Sequence, residues 1–463
     1  MEYDEFLRSK TQSVEDVGFD VDERDIHPIL FPFQKAAVVW ALKKGRCALF
    51  EDCGLGKGIQ QLEWARHVHI RTGGIVLILA PLAVSQQTIA EALKLGMLVR
   101  YAKVSGDITE PGVWVTNYER LAAFLDIIPK LAGIVADESG ILKSYMGKTR
   151  LLLTEVCQVV PYRLCCTATP APNDHMELGN HAEFLSIMPA NEMLSRWFIN
   201  DTMAFGSYRL KGHAVGPFWE WVSTWAVCAG TPADLGYPDD RFILPPLNIE
   251  QHLVDADLAS GAAAGALFRQ VDLNATSVHR EMRLTARARA SVVRDMVMSN
   301  GEPWIVWCHT NYEADELTAL MPEAIEVRGS EVLERKEQKL TAFSTGRERV
   351  LISKPSICGF GLNWQHCAHV AFVGMSYSFE SYYQALRRVY RFGQQRTVNA
   401  HLVMAETESP VWEVVRRKAE AHERMQLEMF RAANAISNRG RLSLRSDCGD
   451  TPMSLPSWLA EAA

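Results

Sequence analysis

The feature that most constrains this chain is the stretch Cys47-Ala48-Leu49-Phe50-Glu51-Asp52-Cys53-Gly54-Leu55-Gly56-Lys57-Gly58-Ile59-Gln60. A short apolar run, Cys47 to Phe50, enters a glycine-rich turn, and a helical pattern begins at Ile59. Strand, glycine turn, lysine and helix in that order make a loop whose backbone N–H groups can close around phosphate oxygens, backed by the partial positive charge of a helix N-terminus. Gly54 and Gly56 supply the conformational freedom, Leu55 and Gly58 complete the turn, and Lys57 would reach the outer phosphates of a nucleotide as a point charge. The pattern G-x-x-x-x-G-K-[ST] is met only in part. No glycine opens it, and Gly58 stands where a hydroxyl residue belongs. A glycine–lysine turn in an ordinary α/β protein would read the same, so the rest of the chain decides.

A chain of 463 residues is too long for one ordinary core, so two or three domains are expected. No apolar run reaches the ~18–20 residues of a membrane span. The N-terminus, Met1-Glu2-Tyr3-Asp4-Glu5, is acidic and lacks the shape of a signal peptide. The 10 cysteines form no C-x-x-C pair, which argues against a zinc cluster or a disulfide scaffold and for a reducing cytoplasm. A net charge of −7 excludes a protein coated in positive charge but leaves room for a basic groove.

Residues 1–24 read as a polar, acidic and loosely held N-terminal arm. Leu30-Phe31-Pro32-Phe33-Gln34 then opens a helix. A glutamine amide such as that of Gln34 can both donate to and accept from an adenine edge, although many helices simply begin with such a residue. After the phosphate loop, Ile75 to Ala80 is a continuous apolar run ending at Pro81, as a strand buried on both faces of a parallel sheet should be. Further strands are expected at Val113–Tyr118, Gly133–Glu138 and Tyr162–Pro170. Strands alternating with helices indicate a doubly wound parallel sheet, with ligands at the carboxyl ends of strands. Asp137 and Glu138 fall at such an end, 80 positions after Lys57. An aspartate there can hold the Mg²⁺ of a nucleotide, and the adjacent glutamate can orient and deprotonate a water.

Residues 191–275 read as a helical, aromatic-rich insertion and linker. Trp197, Phe198, Trp219, Trp221 and Trp225 crowd a stretch that also carries Arg196, Arg209 and Lys211. Burial of the tryptophans in a small subdomain is preferred over stacking on bases. A second α/β pattern occupies 276–425, with a basic helix from His279 to Met298, strands at Trp304–His309, Arg349–Ser353, Val370–Val373 and Val398–Val403, and a helix from Phe379 through Arg391. On such a helix Arg388 and Arg391, three apart, would share a face. Guanidinium groups of this kind can neutralise charge on a transferring phosphoryl group. A long amphipathic helix from Pro410 leads to a tail, 426–463 covering its end and the last residues.

At this point the sequence resembles a family. The ordered motifs look like those of superfamily-two helicases, and within them the Snf2-like translocases. Leu30 to Gln34 resembles the adenine-reading Q motif, and Asp52 to Gln60 resembles the DEMGLGKTIQ loop. Ala80-Pro81-Leu82 and Thr116-Asn117-Tyr118 are similar to strand-contacting motifs, and Asp137-Glu138-Ser139-Gly140 stands for DEAH. Thr167-Ala168-Thr169-Pro170 resembles the motif that couples hydrolysis to movement, and Cys358 to Trp364 resembles GxGLNL. Gln384 to Gln394 resembles QAxxRxxRxGQ.

The resemblance covers about residues 30–405. It implies two RecA-like parallel-sheet domains, 25–190 and 276–425, flanking an ATP cleft. It further implies ATP and Mg²⁺ as ligands, with Lys57, Asp137, Glu138, Arg388 and Arg391 as catalytic residues and Asp137 at the metal. Gln34, Gly54, Leu55, Gly56, Gly58, Gly361 and Gln384 would contact the nucleotide. Pro81, Thr116, Asn117, Thr167, Thr169, His309 and Asn363 would contact nucleic acid, expected to be double-stranded DNA. A monomer is expected, as is a likeness to short Snf2-like proteins of phages and bacteria.

Two departures stand out: Gly58 lacks the hydroxyl that ligates Mg²⁺, and Gly140 replaces the histidine of DEAH. A weakened metal site follows from the first. The competing readings are a strand-separating or annealing helicase, and a nucleic-acid-binding scaffold whose ATPase has weakened.

Overall fold

The computed structural model describes residues 14–81, 84–143, 148–171, 174–200, 208–239, 242–255, 275–358 and 363–438. Gly361 and the tail beyond 438 lie outside the described residues. The chain divides into two compact units. One is built from residues up to Leu79, from Glu91 to Pro238 and from Met425 onward; the other comprises Ala80–Ala90 and Asp239–Arg424.

The first unit is built on a seven-stranded sheet. In chain order its strands are β1 (Arg46–Glu51), β2 (Ile75–Ala80), β3 (Val99–Tyr101), β4 (Val113–Asn117), β5 (Leu131–Asp137), β6 (Tyr162–Cys166) and, after a two-stranded hairpin of β7 (Phe198–Asn200) and β8 (Tyr208–Leu210), β9 (Ala226–Ala229). Their spatial order is β3-β4-β2-β5-β6-β1-β9. The β1–β6, β1–β9, β2–β5, β3–β4 and β5–β6 pairs all run parallel. β1, β2 and β5 are almost wholly buried, which explains their unbroken apolar sequences: helices cover both faces, so neither face needs polar residues. Register sets the carboxyl ends in line, with Leu49 opposite Cys166 and Cys166 opposite Asp137.

The stretch read as insertion and linker, 191–275, divides between the two units. Trp197, Phe218, Trp219, Trp221 and Trp225 are buried in the core of the first unit and pack edge-on or tilted against one another. β9 follows them and pairs with β1, so this segment extends the first sheet. Part of the expected N-terminal arm is tied to the first unit. Val17, Gly18 and Phe19 donate to the carbonyls of Lys44, Lys43 and Leu42, which close the end of helix Pro32–Lys44.

The second unit carries a six-stranded, wholly parallel sheet of β10 (Leu247–Val254), β11 (Trp304–Cys308), β12 (Ile325–Val327), β13 (Val350–Ser353), β14 (His369–Val373) and β15 (Val398–Ala405). The order is β10-β15-β14-β11-β13-β12, and separate apolar clusters line its two faces. A buried ion network locks helix Ala286–Met298 to the next helix. Arg289 donates to Glu313 at 2.8 Å and lies 3.7 Å from Glu408, all three side chains fully buried.

Two expected elements differ. The helix from Phe379 ends at Leu386 rather than running through Arg391. Arg388 turns back, its Nε donating to the Gln384 carbonyl at 2.9 Å and its Nη2 to the Gln384 amide oxygen at 2.8 Å. That satisfies a carbonyl the helix end leaves open, and the chain continues as a turn to Gly393 at φ +89°. The basic helix before β11 is two helices, Ala275–Leu284 and Ala286–Met298, that meet at Thr285.

Candidate nucleotide and nucleic-acid site

The phosphate loop leaves β1 and enters helix Lys57–Thr72. Gly54 at φ +98° and Gly56 at φ +83° make the turn, a backbone conformation that side-chain-bearing residues adopt at a cost of roughly 1–2 kcal/mol. Lys57 Nζ donates to the Glu51 carbonyl at 2.6 Å and the Asp52 carbonyl at 3.1 Å, folding its charge into the loop. Gln34 is buried and fastens the loop from behind. Its Nε2 donates to the Leu55 carbonyl at 2.7 Å, while its Oε1 accepts from the Phe31 N–H at 2.9 Å. Phe31 and Phe33 stack nearly parallel, centroids 6.3 Å apart.

Beneath the loop sits Glu51, fully buried. Gln60 Nε2 donates to it at 2.6 Å, yet its second oxygen has no partner. Burial pushes the Glu51 carboxyl up to about 7 against the pull of Lys57 and Gln60.

Asp137 ends β5, two strands from β1, so about 10 Å separates the two backbones at this edge. Burial, reinforced by the charge of Glu138, pushes the Asp137 carboxyl up to about 7; a hydrogen bond from Gln61 and the charge of Lys57 act against it. Glu138 adopts φ +53°, a left-handed conformation that costs roughly 1–2 kcal/mol in a residue with a side chain. Its N–H donates to Asp137 Oδ1 at 3.1 Å, and the Tyr118 hydroxyl donates to the Asp137 carbonyl at 2.7 Å. The strained turn is thereby held at both ends.

Thr167 and Thr169 follow β6, the strand between β1 and β5. The Thr169 N–H donates to Thr167 Oγ1 at 3.1 Å, while the buried Thr169 hydroxyl has no partner. Thr116 and Asn117 end β4, both buried; Asn117 accepts from the Tyr101 hydroxyl at 2.9 Å. One sheet edge thus gathers Lys57, Asp137, Glu138, Thr167 and Thr169.

Three residues at this edge escaped the sequence reading. Gln61 lies one helical turn after Lys57 and bonds Asp137, a spacing that could have flagged it. Glu91 comes from helix Ser85–Lys94, and its Oε2 would lie 2.5 Å from a Cβ built on Gly58. The hydroxyl missing at position 58 is therefore faced by a carboxylate. His181 is buried with its Nε2 3.2 Å from the Ser139 hydroxyl, beside the position where Gly140 replaces a histidine. Burial pushes its imidazole down to about 4, so it is neutral. No signal in the sequence distinguished Glu91 or His181, because both arrive through tertiary packing.

In the second unit, Gln384 and Arg388 are buried and joined as described, and Arg391 is half-buried. The Trp364 N–H donates to the Arg388 carbonyl at 3.0 Å, so the segments around Asn363 and Arg388 are tied together. Asn363 is exposed. His309 follows β11 at a carboxyl end; its N–H donates to Glu313 at 2.9 Å, and its Nε2 has no partner. Pro81 follows β2 and is half-buried.

The residues at the first edge fit a metal–nucleotide complex. Buried side-chain oxygens of Glu51, Gln61 and Thr169 lack partners, Gly54 and Gly56 hold the loop in a left-handed turn, and Asp137 offers a hard oxygen ligand.

Two parallel sheets, a glycine–lysine loop and a strand-end Asp-Glu pair are consistent with the tandem RecA-like domains of a helicase. Residues 288–393 match the helicase conserved C-terminal domain. The chain is 24% identical over 436 residues to protein p41 of Acyrthosiphon pisum secondary endosymbiont phage 1, covering 81% of this chain and 92% of that protein. It is 24% identical to the DNA annealing helicase and endonuclease ZRANB3 of Mus musculus, over 84% of this chain but 40% of that protein. A Caenorhabditis elegans homologue of the SWI/SNF-related regulator of chromatin subfamily A-like protein 1 is 27% identical over 160 residues, 32% of this chain and 23% of its own length. The chain thus spans less than half the length of these animal relatives. Together these likenesses support a superfamily-two helicase of the Snf2-like group. A helicase of this kind implies ATP use, as a rule with Mg²⁺, in a nucleic-acid motor. Among the described residues no helix is long and apolar enough to cross a membrane.

Proposed function

We propose that the protein is an ATP-driven translocase on double-stranded DNA. The observation that carries the reading is the common sheet edge of Lys57, Asp137 and Glu138, with Thr167 and Thr169 on the strand between. In this account the loop from Gly54 to Gly58 cradles the phosphates, Lys57 exchanges its loop carbonyls for phosphate oxygens, and Gln34 holds the loop near the adenine. Asp137 would hold Mg²⁺, and Glu91 faces the position at Gly58 where a hydroxyl is missing. Bound Mg²⁺ would neutralise charge on the phosphates. Glu138 takes a proton from the attacking water, and its fixed backbone keeps the carboxylate aimed. Arg388 and Arg391 act on the γ-phosphoryl group in the course of the cycle, Gln384 presenting Arg388 and Gly361 lying in the neighbouring motif. Pro81, His309 and Asn363 contact the DNA backbone, while Thr116 and Asn117, expected to do the same, are buried and instead shape the end of β4; cycles of grip and release turn hydrolysis into steps.

The likeness to an annealing helicase favours a second reading, in which the motor rewinds or separates strands. Triplex displacement and forked-duplex unwinding, run side by side with ATP, distinguish them. Displacement of a third strand from intact duplex without unwinding of the fork is the expected result. Unwinding without displacement would overturn the translocase reading.

A further inference from the structure

Away from these motifs, the second sheet carries a compact donor set. β10 is its edge strand, and its register with β15 puts Glu250 opposite His401. His252 lies two positions on from Glu250, so all three side chains stand on the same face. His252 Nε2 is 3.1 Å from His401 Nδ1 and 3.7 Å from Glu250 Oε2; His401 Nδ1 is 3.4 Å from the same carboxylate. A tetrahedral ion with ligands at about 2.0–2.2 Å needs neighbouring donor atoms about 3.3–3.5 Å apart. Of the observed separations, 3.4 Å falls within that range, 3.1 Å just below it and 3.7 Å just above it.

The setting favours a built site over a chance meeting. Further along the strands the same face becomes core, with Val403, Ala405 and Val254 in the apolar cluster that also contains Trp304. Trp304 stacks on His401 at 5.5 Å and 27°, and on His369 at 4.8 Å and 25°, which fixes the His401 ring. Exposure falls from 57% for the Glu250 side chain to 30% for His252 and 13% for His401, so the donors descend from solvent into the sheet. His401 precedes the carboxyl end of β15, whereas His309 follows the carboxyl end of β11; the triad is thus set back from the edge that serves the motor.

We infer that Glu250, His252 and His401 form a binding site for a borderline divalent cation, Zn²⁺, with water as the fourth ligand. Two imidazoles and one carboxylate suit Zn²⁺ over Mg²⁺ or Ca²⁺, which prefer all-oxygen shells. The ion would clip the edge strand β10 onto β15, an edge otherwise held by the ladder and an Asn248–Asn399 side-chain bond. It would hold the entry strand of the second domain without taking part in hydrolysis.

The test uses the full chain, stripped with EDTA and titrated with ZnCl₂ against a chromophoric chelator, with bound metal counted by mass spectrometry. One Zn²⁺ per chain is expected in wild type and in Lys57→Ala. Each of His252→Gln and His401→Gln should weaken it by at least the ~10–100-fold that even a supporting contact is worth. Zn²⁺ should raise the melting temperature of wild type and not of His252→Gln. His252 sits on an exposed edge, so His252→Gln and Glu250→Gln carry the test if His401→Gln misfolds. Failure of wild type to take up Zn²⁺, or equal affinity in His252→Gln, would overturn the site and identify the pair as an imidazole–imidazole hydrogen bond. Loss of ATP hydrolysis in Lys57→Ala bears on the motor and leaves this result unaffected.

Discussion

Replacing Gly56 with alanine meets two separate obstacles. At φ +83° the backbone is left-handed, which costs an L-residue about 1–2 kcal/mol. The new Cβ would also lie 2.3 Å from Gln34 Nε2, which donates at 2.7 Å to Leu55. Breaking that buried bond costs about 0.5–1.5 kcal/mol. The sum, about 1.5–3.5 kcal/mol, falls on the loop that must be in shape to bind phosphate. At about 1.4 kcal/mol per decade, ATP affinity should drop by about one to two and a half decades. Gly73→Ala is the control. It has φ +64° and nothing within 4 Å of an added Cβ, so only the backbone cost applies, at a helix end distant in sequence from the loop. A double-mutant cycle measured by calorimetric ATP binding isolates the second obstacle. In a Gln34→Ala background, Gly56→Ala should cost about 0.5–1.5 kcal/mol less than in wild type. Equal cost in both backgrounds would refute the claim that Gln34 buttresses the loop.

Gly58→Thr restores the missing hydroxyl and displaces only the mobile end of Glu91, so half-maximal hydrolysis should need less Mg²⁺; an unchanged Mg²⁺ requirement would count against the weakened metal site. Asp137, raised by burial to about 7 from an unfolded value near 4, binds protons more tightly when folded. Its contribution to stability is therefore full below pH about 4 and declines as pH rises to about 7, so Asp137→Asn should flatten denaturant-measured stability across that window, and an unaltered slope would contradict the assignment. Arg289→Ala leaves Glu313 and Glu408 buried without their cation and should destabilise the second domain by about 3–5 kcal/mol in thermal unfolding; a loss below about 1 kcal/mol would show the network to be dispensable.

The sheets were legible because strands buried on both faces must be written as unbroken apolar runs, as in Ile75 to Ala80 and Trp304 to Cys308. β9 was not, since Ala226-Val227-Cys228-Ala229 is short, small and preceded by a tryptophan helix. β10 was hidden for the opposite reason: most of it is exposed at a sheet edge, so its sequence carries no burial signal. The end of the helix at Leu386 depends on the Arg388 side chain turning back, which helical periodicity cannot express. At the site, Lys57, Asp137 and Glu138 were readable because loop and strand-end chemistry is local. Glu91 and His181 reach the same edge through packing, and only the fold reveals them.

The central claim is that phosphate chemistry at Lys57 is coupled to duplex DNA. Steady-state ATP hydrolysis by wild type and Lys57→Ala, with no nucleic acid, duplex DNA, single-stranded DNA or RNA, tests it most directly. The account predicts strong stimulation by duplex DNA alone, abolished in Lys57→Ala. Hydrolysis stimulated equally by single strands or RNA, or none at all while DNA remains bound, would contradict it.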